Sequence, residues 1–178
     1  MKVTDKYVLF FSYKDMFSNH YRSPVPFFMP KHEKEKVKFH TGEHFMMYEK
    51  ATLFGDYETA NKILKVWNPN DAKKLGREVR DFNPNVWDSN KKNIVRSCCY
   101  CRLIYDTNLR LAALDHREAG KSFVEASPYD KIWGVGLSED DQRVLDRSNW
   151  RGQNLLGDCW NEAIDLLIKA CQPRENSL

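Results

Sequence analysis

Helical spacing dominates the pattern of apolar and polar positions along this chain. The clearest case is near the C-terminus, where apolar residues from Leu155 to Ile168 form one continuous face between Gly152 and Pro173. A second segment, 43–53, contains no Gly or Pro and is rich in residues that favour helices. We predict a helix in each, and we expect the C-terminal one to be a central packing element.

Turn and capping residues mark further helices between these two. Asp56 is a predicted N-cap, followed by apolar residues at helical spacing: Tyr57, Ala60, Ile63, Leu64 and Trp67. Asn68-Pro69 stops that helix and caps a short one, and Asn83-Pro84 opens a longer one. Asn108 is a candidate cap for another helix that ends at Gly120.

Two short segments have the composition of strands. Residues 7–11 are β-branched and aromatic, and residues 123–126 precede the turn-rich stretch 127–130. We found no internal repeat and no low-complexity segment that would divide the chain. The prediction is therefore an α+β fold, a helix-dominated single domain over residues 1–178 with a few short strands.

Residues 24–38 differ from the rest of the chain. They carry three prolines and then a run of charged residues beginning at Lys31. Such a run cannot bury itself, and turn-forming residues stand ahead of it. We expect an exposed charged loop or hairpin near residues 30–38.

Composition excludes several classes of protein. With 42% hydrophobic residues the chain is too apolar for wholesale disorder. A net charge of +3 is far from that of a dedicated nucleic-acid binder, yet it is compatible with a small phosphate-bearing ligand. No apolar run approaches the roughly 18 residues of a membrane helix, and residues 1–6 do not resemble a signal peptide. We expect a cytoplasmic protein without a membrane partner.

The five cysteines are an odd number in a chain without an export signal, so we interpret them as reduced thiols. Cys98 and Cys101 form a single Cys-x-x-Cys pair, with no second pair and no histidine at zinc-ligand spacing. Packing within a helix is the favoured interpretation over a metal or redox role. No metal and no cofactor is expected.

Carboxylates at two places are candidates for acid–base chemistry. Glu43-His44 stands at a predicted helix start, where the partial positive charge favours an anion and an apolar environment would raise the pKa. Glu125 and Asp130 flank a proline-containing turn, so both are able to reach one cavity. From spacing alone, a structural histidine with a helix-start carboxylate, and two solvated loop carboxylates, are the more frequent alternatives.

Two loops have the features of ligand-binding segments. Trp133-Gly134-Val135-Gly136 offers an indole for stacking and glycines that permit close backbone approach, although a core tryptophan beside a turn is equally frequent. Residues 149–154 precede the C-terminal helix, where free backbone N–H groups together with Arg151 would hold a phosphate. That second motif is weak, because glycines at Walker or Rossmann spacing are absent.

Taken together and in order, these motifs resemble those of the NADAR, or YbiA-like, family. The first of them are Phe10-Phe11-Ser12, Phe17-Ser18-Asn19 and Thr41-Gly42-Glu43-His44-Phe45 continuing to Lys50. The later ones are Gly76-Arg77, Trp87, Glu125-Ala126-Ser127, Asp130, Trp133 to Gly136, Asn149, Gly152, Asn154, Leu156 and Gly157. Each fragment is weak alone, but together they span nearly the whole chain.

The resemblance implies a hydrolase that cleaves an N-glycosidic bond between a base and a ribose phosphate, as in intermediates of riboflavin biosynthesis. Hydrolysis would pass through an oxocarbenium-like sugar. The expected catalytic residues are Glu43, Glu125, Asp130 and Lys50. The expected substrate-binding residues are Ser18, Asn19, His44, Arg77, Trp87, Trp133, Gly134 and Asn154.

Two alternatives share the same pocket. One is a hydrolase that removes ADP-ribose from guanine in nucleotides or nucleic acid, with lysines between Lys31 and Lys38 meeting the backbone; Glu33 and Glu35 dilute that charge. The other is a module that binds ADP-ribose or a nucleotide without cleaving it. The chain departs from the family pattern at His20, at 46–49 and at 138–147, and these departures bear on the choice of substrate.

Overall fold

The computed structural model describes residues 1–32 and 35–172, with six α-helices, five short strands and two 3-10 turns within those ranges. The strands are β1 (Lys2–Val3), β2 (Tyr7–Phe10), β3 (Phe27–His32), β4 (Glu35–Phe39) and β5 (Ser122–Glu125). The helices are α1 (Gly42–Leu53), α2 (Tyr57–Lys65), α3 (Pro69–Arg77), α4 (Pro84–Tyr105), α5 (Thr107–Glu118) and α6 (Leu155–Cys171). The predicted helix-dominated α+β fold is confirmed.

Side-chain caps explain where most helices begin. Thr41, Asp56, Asn68 and Asn83 each accept a backbone N–H from the first turn of the helix that follows. The prediction that Asn108 caps α5 is wrong. Asp106 stands two residues earlier, and its carboxylate accepts the Leu109 N–H at 3.0 Å, so the helix begins at residue 107.

A three-stranded sheet in the order β1-β2-β5 joins the start of the chain to residues 122–125. β1 pairs antiparallel with β2, and β5 runs parallel to β2. Phe10 stands opposite Glu125, so the parallel strands β2 and β5 end side by side at the same edge of the sheet. This pairing brings the loop after β2 close to the loop after β5.

The charged stretch near residues 30–38 belongs to the antiparallel hairpin β3–β4, while its residues 33 and 34 lie outside the described part of the chain. Phe27 and Phe39 are buried on one face of the hairpin, against Phe45 of α1. Lys36 and Lys38 are exposed. This alternation is what a half-buried strand requires.

The core lies between α4 and α6, with β2 and β5 beside them. The apolar face predicted for the C-terminal helix is buried there, including Trp160, and the prediction that this helix is central is confirmed. The α2 pattern was predicted less well. Ala60 and Ile63 are buried, but Trp67 lies beyond the end of the helix and is 73% exposed.

All five cysteines lie on α4 and α6. Burial raises the pKa of four of these thiols, Cys98, Cys99, Cys101 and Cys159. The Cys-x-x-Cys pair lies along α4, and Cys98 is packed in an apolar cluster with the hairpin. Thiols with raised pKa values form little thiolate at neutral pH. Across residues 1–32 and 35–172, no helix is both long and apolar enough to cross a bilayer.

Candidate active site

The N-terminus of α1 and the loop after β2 hold each other in place. The backbone N–H of Glu43 donates to the Asn19 carbonyl at 2.9 Å. Below this contact, the buried Arg102 guanidinium donates to the Ser18 carbonyl at 3.3 Å, and the Trp160 indole donates to the Phe17 carbonyl at 2.8 Å. Core residues of α4 and α6 therefore fix the loop that carries Asn19.

Asn19 directs its amide oxygen against the first turn of α1. That oxygen is buried and has no hydrogen-bond partner. A Cβ at Gly42 would lie 2.3 Å from it, so only glycine fits between the asparagine and the helix. A buried acceptor without a partner is costly, which is expected where a ligand supplies the missing donor.

Glu125 is positioned by contacts to its backbone. Its N–H donates to the Asn154 side-chain oxygen at 3.0 Å, and its carbonyl accepts the Val135 N–H at 3.0 Å. Asn154 also donates its amide nitrogen to the Phe123 carbonyl at 3.1 Å. Asn154 has a left-handed backbone (φ 56°), so it turns the chain into α6 while its side chain clamps the last residues of β5.

The turn that follows β5 orients Asp130. The Ser127 hydroxyl accepts the backbone N–H of Asp130 at 3.1 Å, which closes the turn. One Asp130 carboxylate oxygen then accepts the N–H groups of Ile132 and Trp133, both at 2.8 Å. The carboxylate is thereby held in one orientation beside the Trp133 indole.

These elements surround one cavity of about 610 Å³. It is large enough for a small phosphorylated nucleoside. Its acidic lining residues are Glu43, Glu125 and Asp130, and its basic ones are Lys50, Lys73, Arg77 and Lys131. The remainder are Asn19, His20, Met46, Met47, Gly76, Tyr129, Ile132 and Trp133.

Burial dominates the electrostatics of the two glutamates. It raises the pKa of Glu43 to about 7, with a further rise from the Asp130 charge and opposition from Lys73 and Arg77. It raises the pKa of Glu125 to about 8, and the charges of Asp130 and Glu43 add to that rise. One oxygen of each glutamate is buried without a hydrogen-bond partner. The cavity thus holds two carboxyls whose pKa values are raised to near neutral pH.

Three of the four cations, Lys50, Lys73 and Arg77, come from α1 and α3, which pack closely. A Cβ at Gly76 would lie 2.0 Å from the Met47 sulfur, so a glycine is required at this crossing. Lys73 and Arg77 are one helical turn apart on α3 and face the same cavity. Lys50 donates to the Gly76 carbonyl at 2.6 Å, and burial followed by the Arg77 charge lowers its pKa.

Of the twelve predicted site residues, the structure brings seven together in this cavity: Asn19, Glu43, Lys50, Arg77, Glu125, Asp130 and Trp133. The other five are not among the described residues that line it: Ser18, His44, Trp87, Gly134 and Asn154.

The positions of these five residues explain their separation from the lining. Ser18 is buried, and its hydroxyl accepts the His20 N–H at 3.2 Å. His44 faces away from the cavity, bonded to Thr41 and to the Val66 carbonyl. The Trp87 ring lies 5.7 Å from the Lys50 amine, behind the lining.

Gly134 is buried where a Cβ would lie 2.9 Å from the Glu125 and Asp130 carbonyls. A glycine therefore lets the loop after β5 pack closely on itself. Asn154 holds the end of β5 ahead of that loop through its hydrogen bonds to Phe123 and Glu125.

Sequence reasoning missed several lining residues, of which Lys73 is the most informative. His20 was singled out as a departure from the family pattern, and it does line the cavity. Lys73 is half-buried, and its charge acts on both glutamates. Its position four residues before Arg77 on a predicted helix was a usable signal. Burial and then the Lys73 charge lower the pKa of His20, which keeps that imidazole neutral at physiological pH.

The prediction of a phosphate seat at the start of α6 is wrong. The backbone N–H groups of Asn154, Leu155 and Leu156 donate to the carbonyls of Gly134, Ile132 and Trp133. The loop that carries Trp133 thus uses the donors that a phosphate would need. Within the described ranges, no three His, Cys, Asp or Glu side chains are grouped as metal ligands.

Comparisons with known proteins identify the family. The model of the NADAR domain matches residues 9–167. The chain is 38% identical to protein irg-1 of Caenorhabditis elegans, over 87% of this chain and 76% of that protein. It is 37% identical to the N-glycosidase R617 of Acanthamoeba polyphaga mimivirus, over 86% of this chain and 92% of that protein.

A solved structure has the same fold. The NMR structure of the Escherichia coli protein YbiA superposes with a TM-score of 0.71, covering 98% of this chain and 94% of YbiA at 23% identity. Since the family model spans almost all of the chain and two relatives exceed 35% identity, the conclusion is that this chain belongs to the NADAR family.

Proposed function

We propose that the protein is an N-glycosidase that hydrolyses the bond between a base and a ribose phosphate, and that the cavity of Glu43 and Glu125 is its active site. The observation that carries this proposal is the pair of buried carboxyls, each with an unpartnered oxygen and with pKa values of about 7 and about 8. An acid and a base that act together at neutral pH need such values. The name N-glycosidase of the viral relative supports the same reaction class.

The chemistry follows from the two protonation states. Glu125, whose pKa is higher, donates its proton to the base nitrogen as the C1′–N bond breaks and the electron pair leaves with the base. Glu43 in its ionised form takes a proton from the water that adds to C1′. The Asp130 carboxylate faces the same cavity and stabilises the oxocarbenium-like sugar.

The remaining lining groups fit a phosphorylated ribosyl substrate. Lys73 and Arg77 present two cations at one side of the cavity for a phosphate. Trp133 offers an indole to the base or sugar, and the unpartnered Asn19 oxygen accepts from a ribose hydroxyl. Lys50, held by the Gly76 carbonyl, adds positive charge beside that phosphate. A ribosylaminopyrimidine phosphate, as in riboflavin biosynthesis, has the base, the ribose hydroxyls and the phosphate that these side chains would bind.

The test is mass spectrometry of the protein incubated separately with three substrates: that ribosylaminopyrimidine phosphate, ADP-ribose and ADP-ribosylated guanosine. We expect release of the base from the first, and a loss of at least about a hundredfold in the Glu125→Gln variant. Glu118→Gln, an exposed carboxylate at the end of α5, is the matched control and should cleave like the wild type.

Cleavage of ADP-ribosylated guanosine alone would move the function to ADP-ribose removal by the same carboxyls. Intact substrates throughout, with retained binding, would reject hydrolysis in favour of a binding module.

A further inference from the structure

A second cavity, of about 830 Å³, lies between the hairpin strand β4, the start of α1 and the end of α2. None of its described lining residues also lines the cavity of Glu43 and Glu125. Glu43 and His44 are consecutive on α1, yet each belongs to a different cavity. The second cavity is therefore a separate place in the fold, adjacent to the first.

The aromatic wall of this cavity is the pair Trp67 and Arg22. The guanidinium carbon of Arg22 lies 3.1 Å from the centre of the indole ring, and one of its nitrogens donates to the Trp67 carbonyl at 3.4 Å. Trp67 is nevertheless 73% exposed. An indole held on one face and open to solvent on the other is a platform on which a planar ring stacks.

The charged wall is basic. Arg22, Lys36, Lys38 and Lys65 line the cavity, and none of its described lining residues is a carboxylate. The like charges interact, since burial and then the charges of Arg22 and Lys38 lower the pKa of His40. A bound anion would relieve that repulsion.

We propose that this cavity is a nucleotide-binding site, in which a base stacks on the open face of Trp67 and a phosphate is held by the surrounding lysines. Stacking of a base explains why a large aromatic side chain is fixed in an exposed position. The basic wall selects those ring-bearing ligands that also carry negative charge. The ligand is either a free nucleotide or one nucleotide of a single strand, because both have the same base and phosphate. The site does not depend on the proposed glycosidase activity.

The first experiment is isothermal titration calorimetry of the full chain with adenosine monophosphate, and with ribose 5-phosphate as the ligand without a base. Trp67→Ala should weaken binding of adenosine monophosphate at least about tenfold. Tyr57→Ala removes another exposed aromatic residue of the same region and should change it less than about twofold. Ribose 5-phosphate should bind Trp67→Ala and wild type equally.

A matched pair of lysines on α2 tests the charge. Lys65 lines the cavity, whereas Lys62 is paired with Glu58 outside it. Lys65→Ala should weaken the nucleotide several-fold and reduce the dependence of affinity on salt, and Lys62→Ala should do neither. Unchanged binding of adenosine monophosphate in both Trp67→Ala and Lys65→Ala would overturn the proposal.

The two ligand sources are separated by a pentamer of deoxythymidine titrated beside thymidine monophosphate. Tighter binding of the pentamer that is lost in Trp67→Ala would support a strand as the source. Equal affinity, again dependent on Trp67, would support a free nucleotide. No Trp67-dependent binding of either would reject the site. All of these variants should retain hydrolysis, so failure here leaves the proposed function untouched.

Discussion

The two cavities beside α1 are both polar, but they differ in how much their lining groups destabilise the folded protein. The Glu43 cavity contains buried carboxyl oxygens without partners, and burial raises both glutamate pKa values far from their ordinary range. The Trp67 cavity keeps its charges on exposed lysines and its aromatic ring in solvent. Buried groups without partners cost stability, whereas exposed cations cost little.

This difference matches the roles proposed for the two cavities, chemistry in the first and recognition in the second. A reaction that moves protons needs groups whose pKa values are shifted, and burial is the means by which a fold shifts them. Binding of a base and a phosphate needs only an accessible ring and positive charge. A substitution in one cavity should therefore leave the function of the other unaffected.

The largest effect is expected from Glu43→Gln, which keeps the size of the side chain but removes its ability to accept a proton. Turnover of the ribosyl substrate should fall by about 10² to 10⁴. Measured by steady-state kinetics, the loss should appear in kcat, with binding of adenosine monophosphate at the second cavity unchanged. Retained turnover in a folded Glu43→Gln protein would remove Glu43 from the mechanism.

A smaller effect is expected from pH. Hydrolysis requires one carboxyl to be ionised and the other protonated, so kcat/KM should be greatest between about 7 and about 8, the pKa values of the pair. Below this range the base becomes protonated, and above it the acid loses its proton. The rate should fall about tenfold per pH unit on each side. A profile that stays flat from pH 5 to 9 would contradict the paired roles.

The smallest effect is expected when the second cavity is changed and hydrolysis is measured. Trp67→Ala should alter kcat/KM for a ribosyl monophosphate by less than about twofold, because the two cavities share no described lining residue. A loss of tenfold or more would mean that this small substrate reaches across both cavities, and the separation argued above would be wrong.

Much of the fold could be predicted from local patterns. Caps such as Asp56 and Asn83 were recognised because their hydrogen bonds lie within a few residues. The wrong prediction of Asn108 as a cap also came from a local pattern. Asp106 and Asn108 are both polar residues near the start of α5, and Asp106 is the one that accepts the backbone N–H of the first turn. The helical spacing of α2 was extended two residues too far, to Trp67, because spacing alone does not show what lies opposite a side chain.

The site was less accessible to sequence reasoning. The resemblance to a family selected Glu43, Glu125 and Asp130, and the structure places all three in one cavity, while their catalytic roles stay predictions. Neither the side of α1 on which His44 lies nor the contacts that Asn154 makes to β5 follow from spacing. Those facts depend on tertiary packing. The phosphate seat failed for the same reason, since its N–H donors are used by a loop that is distant in sequence.

The parallel pairing of β2 with β5 has a consequence for folding. It joins residues 7–10 to residues 122–125, which are far apart in sequence, and Glu125 reaches the cavity of Glu43 only once that pairing has formed. Contacts between segments so far apart in sequence form slowly, since a long loop must close first. A nascent chain that ends before β5 already contains Glu43, Lys73 and Arg77, but not the second glutamate. The two glutamates of the proposed active site therefore come together only after synthesis has passed β5.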